Sequence, residues 1–146
     1  MIRFLYKKYW AFGFGSRVYD LLAPQAYLDS IARSVDCIGS NKGGIWLDAG
    51  CGSGLSLPLI KERLQTGDRF FGMDLTMSGL TRTWVKAKAL KVSGTPVLAD
   101  FTAGLPFKEN SVDRIVAHFS TYTVNSSEKR LSAMKDFHRV LKPQGM

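Results

Sequence analysis

Three aspartates and a run of closely spaced glycines are the residues of this sequence that most strongly indicate a ligand site. Glycine takes alternate positions in the stretch Asp48-Ala-Gly-Cys-Gly-Ser-Gly54. Glycines spaced in this way let the backbone turn tightly and approach a ligand where a Cβ atom would clash. The stretch joins a short apolar run, Ile45-Trp46-Leu47, to a helical pattern, and open α/β sheets bind ligands at such junctions.

Each aspartate lies at the end of a predicted strand. Asp48 precedes the first glycine and would meet a cationic group at the strand tip. Asp74 could accept both hydroxyls of a ribose. Asp100 is followed by Phe101, and a carboxylate beside an aromatic face suits an adenine. A ligand with an ammonium group, a ribose and an adenine satisfies all three carboxylates, and S-adenosylmethionine is such a ligand.

A nicotinamide dinucleotide is the alternative ligand for a glycine turn of this kind. It needs the spacing Gly-x-Gly-x-x-Gly, with the diphosphate resting on a helix N-terminus. Here the spacing is Gly50-x-Gly52-x-Gly54, and Leu55 stands where the third dinucleotide glycine belongs. Asp48 would also bring a negative charge close to the diphosphate. The pattern therefore favours the sulfonium cofactor, with a purely structural turn as the remaining alternative.

Alternating apolar runs and helical patterns predict the elements that position these residues. Strands are predicted at 45–47, 69–73, 96–99 and 113–119, and helices at 16–38, 53–65, 77–91 and from Asn125 onward. The first helix is interrupted near Pro24, and Gly67 is predicted to cap the second. This order predicts an α/β fold of the Rossmann-like kind, a parallel sheet with helices on both faces.

The last helix has two predicted features. Asn125 followed by Glu128 is typical of a capping box. The apolar stripe that would face the core is predicted as Leu131, Met134, His138 and Leu141.

Composition limits the class of protein. The chain has 146 residues, 45% hydrophobic and 22% charged, which indicates a globular protein with one domain. No apolar run approaches the roughly 20 residues of a membrane span, and we expect no secretory signal, because the first fifteen residues lack a continuous apolar stretch. Cys37 and Cys51, with His118 and His138, do not favour a disulfide framework or a structural metal. We expect a reduced, cytoplasmic protein.

The net charge of +8 leaves several partners open: nucleic acid, an anionic membrane surface or an acidic substrate. Basic residues concentrate locally at Arg82, Lys86, Lys88 and Lys91. The first fifteen residues combine six aromatic with three basic side chains. This stretch fits a lid over a pocket, a peripheral membrane contact for a lipidic acceptor, or a helix packed on the core.

The segment from Ile45 to Gln144 resembles a class I S-adenosylmethionine-dependent methyltransferase. The resemblance is to the group with small-molecule acceptors, which includes methyltransferase type 11 and the quinone-biosynthesis C-methyltransferases. It rests on four motifs in order: Asp48-Ala-Gly-Cys-Gly-Ser-Gly54; Gly72-Met-Asp74; Ala99-Asp100-Phe101 with Leu105-Pro106-Phe107-Lys-Glu-Asn110-Ser-Val-Asp113; and Arg139-Val-Leu-Lys-Pro143-Gln-Gly145.

The resemblance implies a role for each matching position. The glycine turn would pass the methionine part of the cofactor, Asp74 would hold the ribose, and Leu75 would line the adenine. His118, at the tip of the fourth strand, would lie beside the sulfonium and the acceptor, and a pair like Tyr19-Asp20 closes over the cofactor in many relatives. The implied cofactor-binding residues are Asp48, Gly50, Cys51, Gly52, Gly54, Asp74, Leu75, Asp100, Phe101 and His118.

The acceptor and the extent of the domain follow less directly. The motif of amino-methylating nucleic-acid enzymes and the paired glutamates of protein-arginine enzymes are missing, which favours a small organic acceptor. His118 and Tyr122 are candidate bases, and no catalytic residue is assigned.

Relatives continue into a fifth, sixth and seventh strand, so we expect a helical or lid segment at 1–42, the N-terminal part of the cofactor domain at 43–146, and an exposed fourth-strand edge. The rival hypotheses are an inactive cofactor-binding fragment and an RNA methyltransferase that uses the basic surface.

Overall fold

The computed structural model describes residues 20–38 and 44–146. Helix α1 (Gln25–Asp36) begins directly after Pro24, which confirms the predicted interruption at that proline. The elements that follow are β1 (Ile45–Ala49), α2 (Leu57–Arg63), β2 (Arg69–Asp74), α3 (Met77–Ala89), β3 (Gly94–Leu98), β4 (Arg114–Val116) and α4 (Ser127–Val140). The aromatic stretch 1–15 and Tyr19 lie outside the described residues, so the predictions made for them stay predictions.

The four strands form one parallel sheet in the order β3-β2-β1-β4. The central strand β1 pairs with β2 on one side and with β4 on the other. Because all four strands run the same way, their carboxyl ends lie at one edge of the sheet. The predicted α/β class with a parallel sheet is confirmed, and this edge carries the candidate site.

Helices cover both faces of the sheet, as predicted. On one face, Trp46 and Phe70 pack against residues of α1, α2 and α3. On the other face, Leu47 packs in a cluster with Phe137 and Val140 of α4. A buried side chain of the size of Phe70 stabilises the fold by roughly 2–3 kcal/mol, so these two layers fix the sheet that positions the site.

The outer edge of β4 is partly covered, which corrects the expectation of an exposed edge. The N–H of Ile115 donates to the Met146 carbonyl at 2.7 Å, and the N–H of Met146 donates to the Asp113 carbonyl at 3.0 Å. Val112 and Leu141 form a parallel bridge just before. Residues 141–146 therefore lie alongside β4 and pair with its backbone groups.

Helix α2 is shorter than predicted at both ends. It begins at Leu57 and not at Ser53, because Gly54 has a φ of +75° and belongs to the preceding turn. It ends at Arg63, so Gly67 lies in the connection to β2 and does not cap the helix. The prediction extended the helix into a turn that is needed to shape the site.

The N-terminus of α4 is shifted by one residue from the predicted capping box. Ser126 is the N-cap, and its hydroxyl accepts a hydrogen bond from the Lys129 N–H at 3.2 Å. Asn125 and Glu128 are therefore not the capping pair. Neighbouring asparagine and serine residues can both serve as N-caps, so the sequence alone did not distinguish them.

The predicted apolar stripe of α4 is also wrong. The buried residues are Ala133, Phe137 and Val140. Leu131 and Met134 are 57% and 42% exposed, and His138 is exposed as well. Apolar residues occur on two faces of this helix, and the face with Phe137 is the one that packs on the sheet.

Candidate functional site

The glycine turn between β1 and α2 is closed by protein at one position and open at another. Gly50, Gly52 and Gly54 have φ of +85°, +53° and +75°, in the left-handed region that glycine adopts readily. A Cβ atom at Gly50 would lie 2.3 Å from the Ser120 Cβ, so close packing requires glycine there. Among residues 20–38 and 44–146, no other atom lies within 4 Å of the position that a Cβ atom at Gly52 would take. Gly52 therefore faces open space from which a ligand can approach the backbone.

The ends of the strands converge on this turn. The Gly50 N–H donates to the carbonyl of Met73 in β2 at 2.7 Å. After β4, the Ser120 hydroxyl donates to the Ala49 carbonyl at 2.6 Å. After β3, the ring of Phe101 comes within 3.7 Å of the position that a Cβ at Gly50 would take. Residues that are distant in the sequence are thus brought to one place.

Asp48 is a buried carboxyl group that pairs with no basic side chain of the described residues. It is 1% exposed and accepts a hydrogen bond from the Ser56 hydroxyl at 2.5 Å. Burial raises its pKa to about 7, the Asp74 carboxylate adds to the rise, and the Ser56 hydrogen bond opposes it. Within residues 20–38 and 44–146, no ion pair joins it to a basic side chain. A cation bound beside this group would stabilise its ionised form.

Asp74 fixes the glycine turn that it also faces. Its Oδ2 accepts from the Gly52 N–H at 2.9 Å, and its Oδ1 accepts from the N–H and hydroxyl of Thr76 at 2.8 and 2.7 Å. Thr76 is the N-cap of α3. The carboxylate is half-buried at the carboxyl edge of the sheet, and the neighbouring Leu75 is 59% exposed.

Asp100 and Phe101 lie side by side after β3. Asp100 is exposed, and its Oδ1 accepts from the N–H and hydroxyl of Thr102 at 2.8 and 2.7 Å. These bonds begin a short 3-10 turn, Phe101–Ala103. The half-buried ring of Phe101 packs with its centroid 5.7 Å from that of Phe137. A carboxylate and an aromatic face are thus held at the same edge as Asp74.

Cys51 lies within the turn as a packing residue. It is 6% exposed, and its Sγ accepts from the Thr83 hydroxyl at 3.5 Å. Burial raises the pKa of the thiol, and the nearby Asp48 raises it further. The thiol is therefore protonated at neutral pH and is a poor nucleophile.

His118 follows β4 and is connected to α1. Its Nε2 lies 2.6 Å from the Ser34 Oγ, while Nδ1 is buried and has no hydrogen-bond partner among residues 20–38 and 44–146. Burial lowers the pKa of His118, so the imidazole is neutral at pH 7. The strand ends at Val116, earlier than predicted, and the residue after His118, Phe119, has a φ of +55° in the turn that follows. His118 thus lies at the predicted edge, with one nitrogen used to hold α1.

Asp20 connects the residues before α1 to the glycine turn and to α3. Its carboxylate accepts from the Ser53 hydroxyl at 2.5 Å, from Arg82 at 3.1 Å and from Lys86 at 2.6 Å. Burial alone would raise its pKa, but the hydrogen bonds from Lys86, Ser53 and Arg82 outweigh burial and lower it. Two of the basic residues that the sequence suggested for a partner are therefore paired within the chain.

Sequence reasoning missed four serines that shape the site: Ser34, Ser53, Ser56 and Ser120. Each donates to or contacts a group on another element, so no periodic pattern reveals it. Ser56 carried a weak local signal, since it directly precedes a helix whose second residue is proline. The other three depend on contacts that form only in the folded chain.

Two observations show that the site fits S-adenosylmethionine. The buried Asp48 carboxyl group provides a place for an ammonium group, and the open side of Gly52 leaves room for the chain that carries it. Residues 47–146 also match the family model described as a methyltransferase domain. The chain belongs to this family. The sequence-based resemblance to class I S-adenosylmethionine-dependent methyltransferases, and the cofactor it implied, are confirmed.

Individual relatives of this chain have widely different named functions. A human mitochondrial protein, arginine-hydroxylase NDUFAF5, is 32% identical over 100 residues, which cover 68% of this chain and 26% of that protein. The tRNA (carboxymethyluridine(34)-5-O)-methyltransferase of Arabidopsis thaliana is 27% identical over 135 residues, covering 88% of this chain and 30% of that protein. A crystal structure of a SAM-dependent methyltransferase from Aquifex aeolicus has a TM-score of 0.70 at 20% identity, covering 88% of this chain and 68% of that one.

The chain thus spans less than a third of the two curated relatives. One is named a hydroxylase of arginine and the other a methyltransferase of tRNA, so membership of the family does not by itself define the acceptor. No helix in the described part of the chain is long and apolar enough to cross a bilayer.

Proposed function

We propose that this methyltransferase transfers a methyl group from S-adenosylmethionine to a small organic acceptor. The observation that carries the proposal is the buried Asp48 carboxyl group, without a basic partner in the described chain, beside the open side of Gly52. Ionising a buried carboxyl group costs free energy, and the positive charge of a bound cofactor would offset that cost. A turn with a purely structural role would provide no such offset.

The residues at the carboxyl edge of the sheet would divide the cofactor between them. Asp48 would accept from its ammonium group, Asp74 from its ribose hydroxyls and Asp100 from the adenine amine. When bound, the cofactor supplies an electrophilic methyl group, and the chain contributes binding, orientation and exclusion of water. The proposed cofactor-binding set is Asp48, Gly50, Cys51, Gly52, Gly54, Asp74, Leu75, Asp100, Phe101 and His118.

Ion pairs within the basic cluster favour a small acceptor over nucleic acid. Arg82 and Lys86, two of the four residues of this cluster, form ion pairs with Asp20. The named function of the Arabidopsis relative makes RNA the second candidate. RNA binding predicts an affinity that falls steeply with salt, whereas a small neutral acceptor predicts little dependence on salt. A cytoplasmic location stays a prediction, since the human relative is named as mitochondrial.

Titration calorimetry with S-adenosylhomocysteine tests the cofactor site. Asp48→Asn keeps an acceptor for Ser56 but removes the charge, so we expect it to weaken binding about tenfold or more. Asp113→Asn is the matched control: Asp113 accepts from the Ile45 N–H at 2.8 Å and pairs with Lys142 at 2.8 Å, at the other end of β4. We expect this control to melt earlier and to bind S-adenosylhomocysteine unchanged.

Equal affinities of the wild type and Asp48→Asn would contradict the assignment. A wild-type chain that melts cooperatively and ignores S-adenosylhomocysteine would contradict the proposed function as a whole. Binding without turnover of any acceptor would support the inactive cofactor-binding hypothesis.

A further inference from the structure

Three aromatic side chains meet at the end of β4, and two of them expose much of their surface. Phe119 stacks on Tyr27 of α1, with ring centroids 4.5 Å apart and planes inclined by 29°. Tyr122 meets Phe119 edge-on, with centroids 6.4 Å apart and planes at 86°. Phe119 and Tyr122 are 43% and 65% exposed. We call Tyr27, Phe119 and Tyr122 the aromatic cluster.

The backbone of Phe119 adopts a conformation that is rare for an aromatic residue. Its φ of +55° lies in the left-handed region, where the Cβ atom crowds the backbone and which glycine and asparagine adopt more readily. Strained residues persist where the surrounding structure fixes them, and they are concentrated at ligand sites. Phe119 combines a strained backbone with a half-exposed ring, and this combination is typical of a residue that contacts a ligand.

Neighbouring residues place the aromatic cluster beside the cofactor turn. The Ser120 hydroxyl donates to the Ala49 carbonyl at 2.6 Å, and its Cβ fills the space that a side chain at Gly50 would need. On the other side, His118 holds α1 through Ser34. The aromatic cluster is therefore braced between β4 and α1, next to the turn proposed to hold the methyl donor.

We propose that the aromatic cluster is the acceptor subsite and takes the planar aromatic ring of an uncharged small molecule. The inference rests on the function proposed above. Aromatic rings prefer offset-stacked and edge-to-face contacts with centroids about 4.5–7 Å apart, and Phe119 and Tyr122 offer a ring face and a ring edge. In the described part of the chain the bordering polar groups are the neutral imidazole of His118, bound to Ser34 through Nε2, and the Ser120 hydroxyl, which donates to the Ala49 carbonyl; neither carries a charge.

Fluorescence titration of 2-naphthol into the chain, with and without saturating S-adenosylhomocysteine, tests the subsite. Phe119→Leu and Tyr122→Leu remove a ring but keep an apolar side chain, whereas Tyr122→Phe keeps the ring. Leu131→Ala changes an apolar residue of similar exposure, 57%, on α4. We expect the dissociation constant of naphthol to rise about fivefold or more in the two leucine variants and to stay unchanged in the other two.

Naphthol affinity that survives in both leucine variants would overturn the proposal. Equal affinity for decahydro-2-naphthol, which has a similar size but no aromatic ring, would overturn it too. An oligoribonucleotide that displaces naphthol at low salt but not at high salt would make a nucleobase the occupant and refute the small-molecule acceptor. Tyr122→Leu decides the test if Phe119→Leu melts early, because Tyr122 is the more exposed ring.

The S-adenosylhomocysteine affinity of each variant keeps the two proposals apart. A wild-type chain that does not bind S-adenosylhomocysteine counts against the proposed function. Retained S-adenosylhomocysteine binding with naphthol affinities that ignore the ring substitutions counts against the aromatic cluster alone.

Discussion

Cofactor binding is expected to release a proton from Asp48. The pKa of this buried carboxyl group is about 7, against an ordinary value of 3.8. About half of the molecules therefore carry a proton on Asp48 at pH 7. An ammonium group beside the carboxylate lowers the pKa again, since an opposite charge favours the ionised form. Binding of S-adenosylhomocysteine at pH 7 should thus expel about half a proton from this group.

The same linkage makes the affinity depend on pH. If only ionised Asp48 pairs with the ammonium group, the protonated form competes with binding. A pKa of about 7 makes the protonated fraction roughly 0.9 at pH 6 and roughly 0.1 at pH 8. The dissociation constant of S-adenosylhomocysteine should therefore be about tenfold larger at pH 6 than at pH 8. The affinity rises with pH because deprotonation then no longer has to accompany binding.

Titration calorimetry measures both quantities. Experiments at pH 6, 7 and 8, each in two buffers of different ionisation enthalpy, give the dissociation constant and the number of protons released. Asp48→Asn serves as the reference, because it keeps every other titrating group of the protein, including His118. The amine of the ligand is the same in both titrations. The contribution of Asp48 is the difference between the wild type and this variant.

Parallel pH profiles for the wild type and Asp48→Asn would refute the reasoning. So would equal proton release from the two proteins at pH 7. Either result would mean that the carboxyl group is already ionised in the free protein or that the ligand's ammonium group binds elsewhere.

Three further predictions concern stability, each measured by urea unfolding. Asp48 loses its proton near pH 3.8 in the unfolded chain and only near pH 7 in the folded chain, so Asp48 destabilises the fold increasingly from about pH 4 to pH 7. Asp48→Asn should therefore raise the free energy of unfolding by up to roughly 4 kcal/mol at pH 8 and change it little at pH 4. Gly50→Ala should cost about 2–3 kcal/mol through steric overlap, whereas Gly52→Ala should cost about 1 kcal/mol yet abolish S-adenosylhomocysteine binding. Phe137→Ala should cost about 3–5 kcal/mol and Met134→Ala under about 1 kcal/mol, and the reverse order would restore the apolar stripe predicted from the sequence.

The sequence predicted the order of elements well because the signals for strands and for the glycine turn are local. An apolar run bounded by glycine, such as the one at Ile45, indicates a buried strand whatever surrounds it. The three aspartates could be placed at strand ends for the same reason, since parallel strands bring their carboxyl ends to one edge. The family match confirmed the cofactor that this arrangement suggested.

Helix boundaries and the packed face of α4 were predicted less well, because they depend on competition between similar local options. Asn125 and Ser126 are both good N-caps, and only the folded chain shows that Ser126 is used. Leu131 and Phe137 lie on different faces of α4, and only contact with the sheet decides between the faces.

The contacts that hold the site together had no local signal. Asp20 meets Arg82 and Lys86 across more than sixty positions of sequence, and Ser34 meets His118 across more than eighty. Such pairs are set by how α1 and α3 pack against the sheet, which neither periodicity nor composition specifies. Two of the four basic residues that the sequence suggested for a partner, Arg82 and Lys86, are therefore paired within the chain.

The position of β1 in the centre of the sheet has a consequence for how cofactor binding affects folding kinetics. Trp46 pairs with Phe70, 24 positions later, and with Arg114, 68 positions later. Loop closure over the shorter distance costs less entropy, so we expect the β1–β2 pair to form before β4 docks. The glycine turn is complete only when Ser120 bonds to Ala49, which we expect among the last folding steps because Ser120 follows β4. A ligand that recognises the finished turn should then slow unfolding strongly and leave the folding rate almost unchanged.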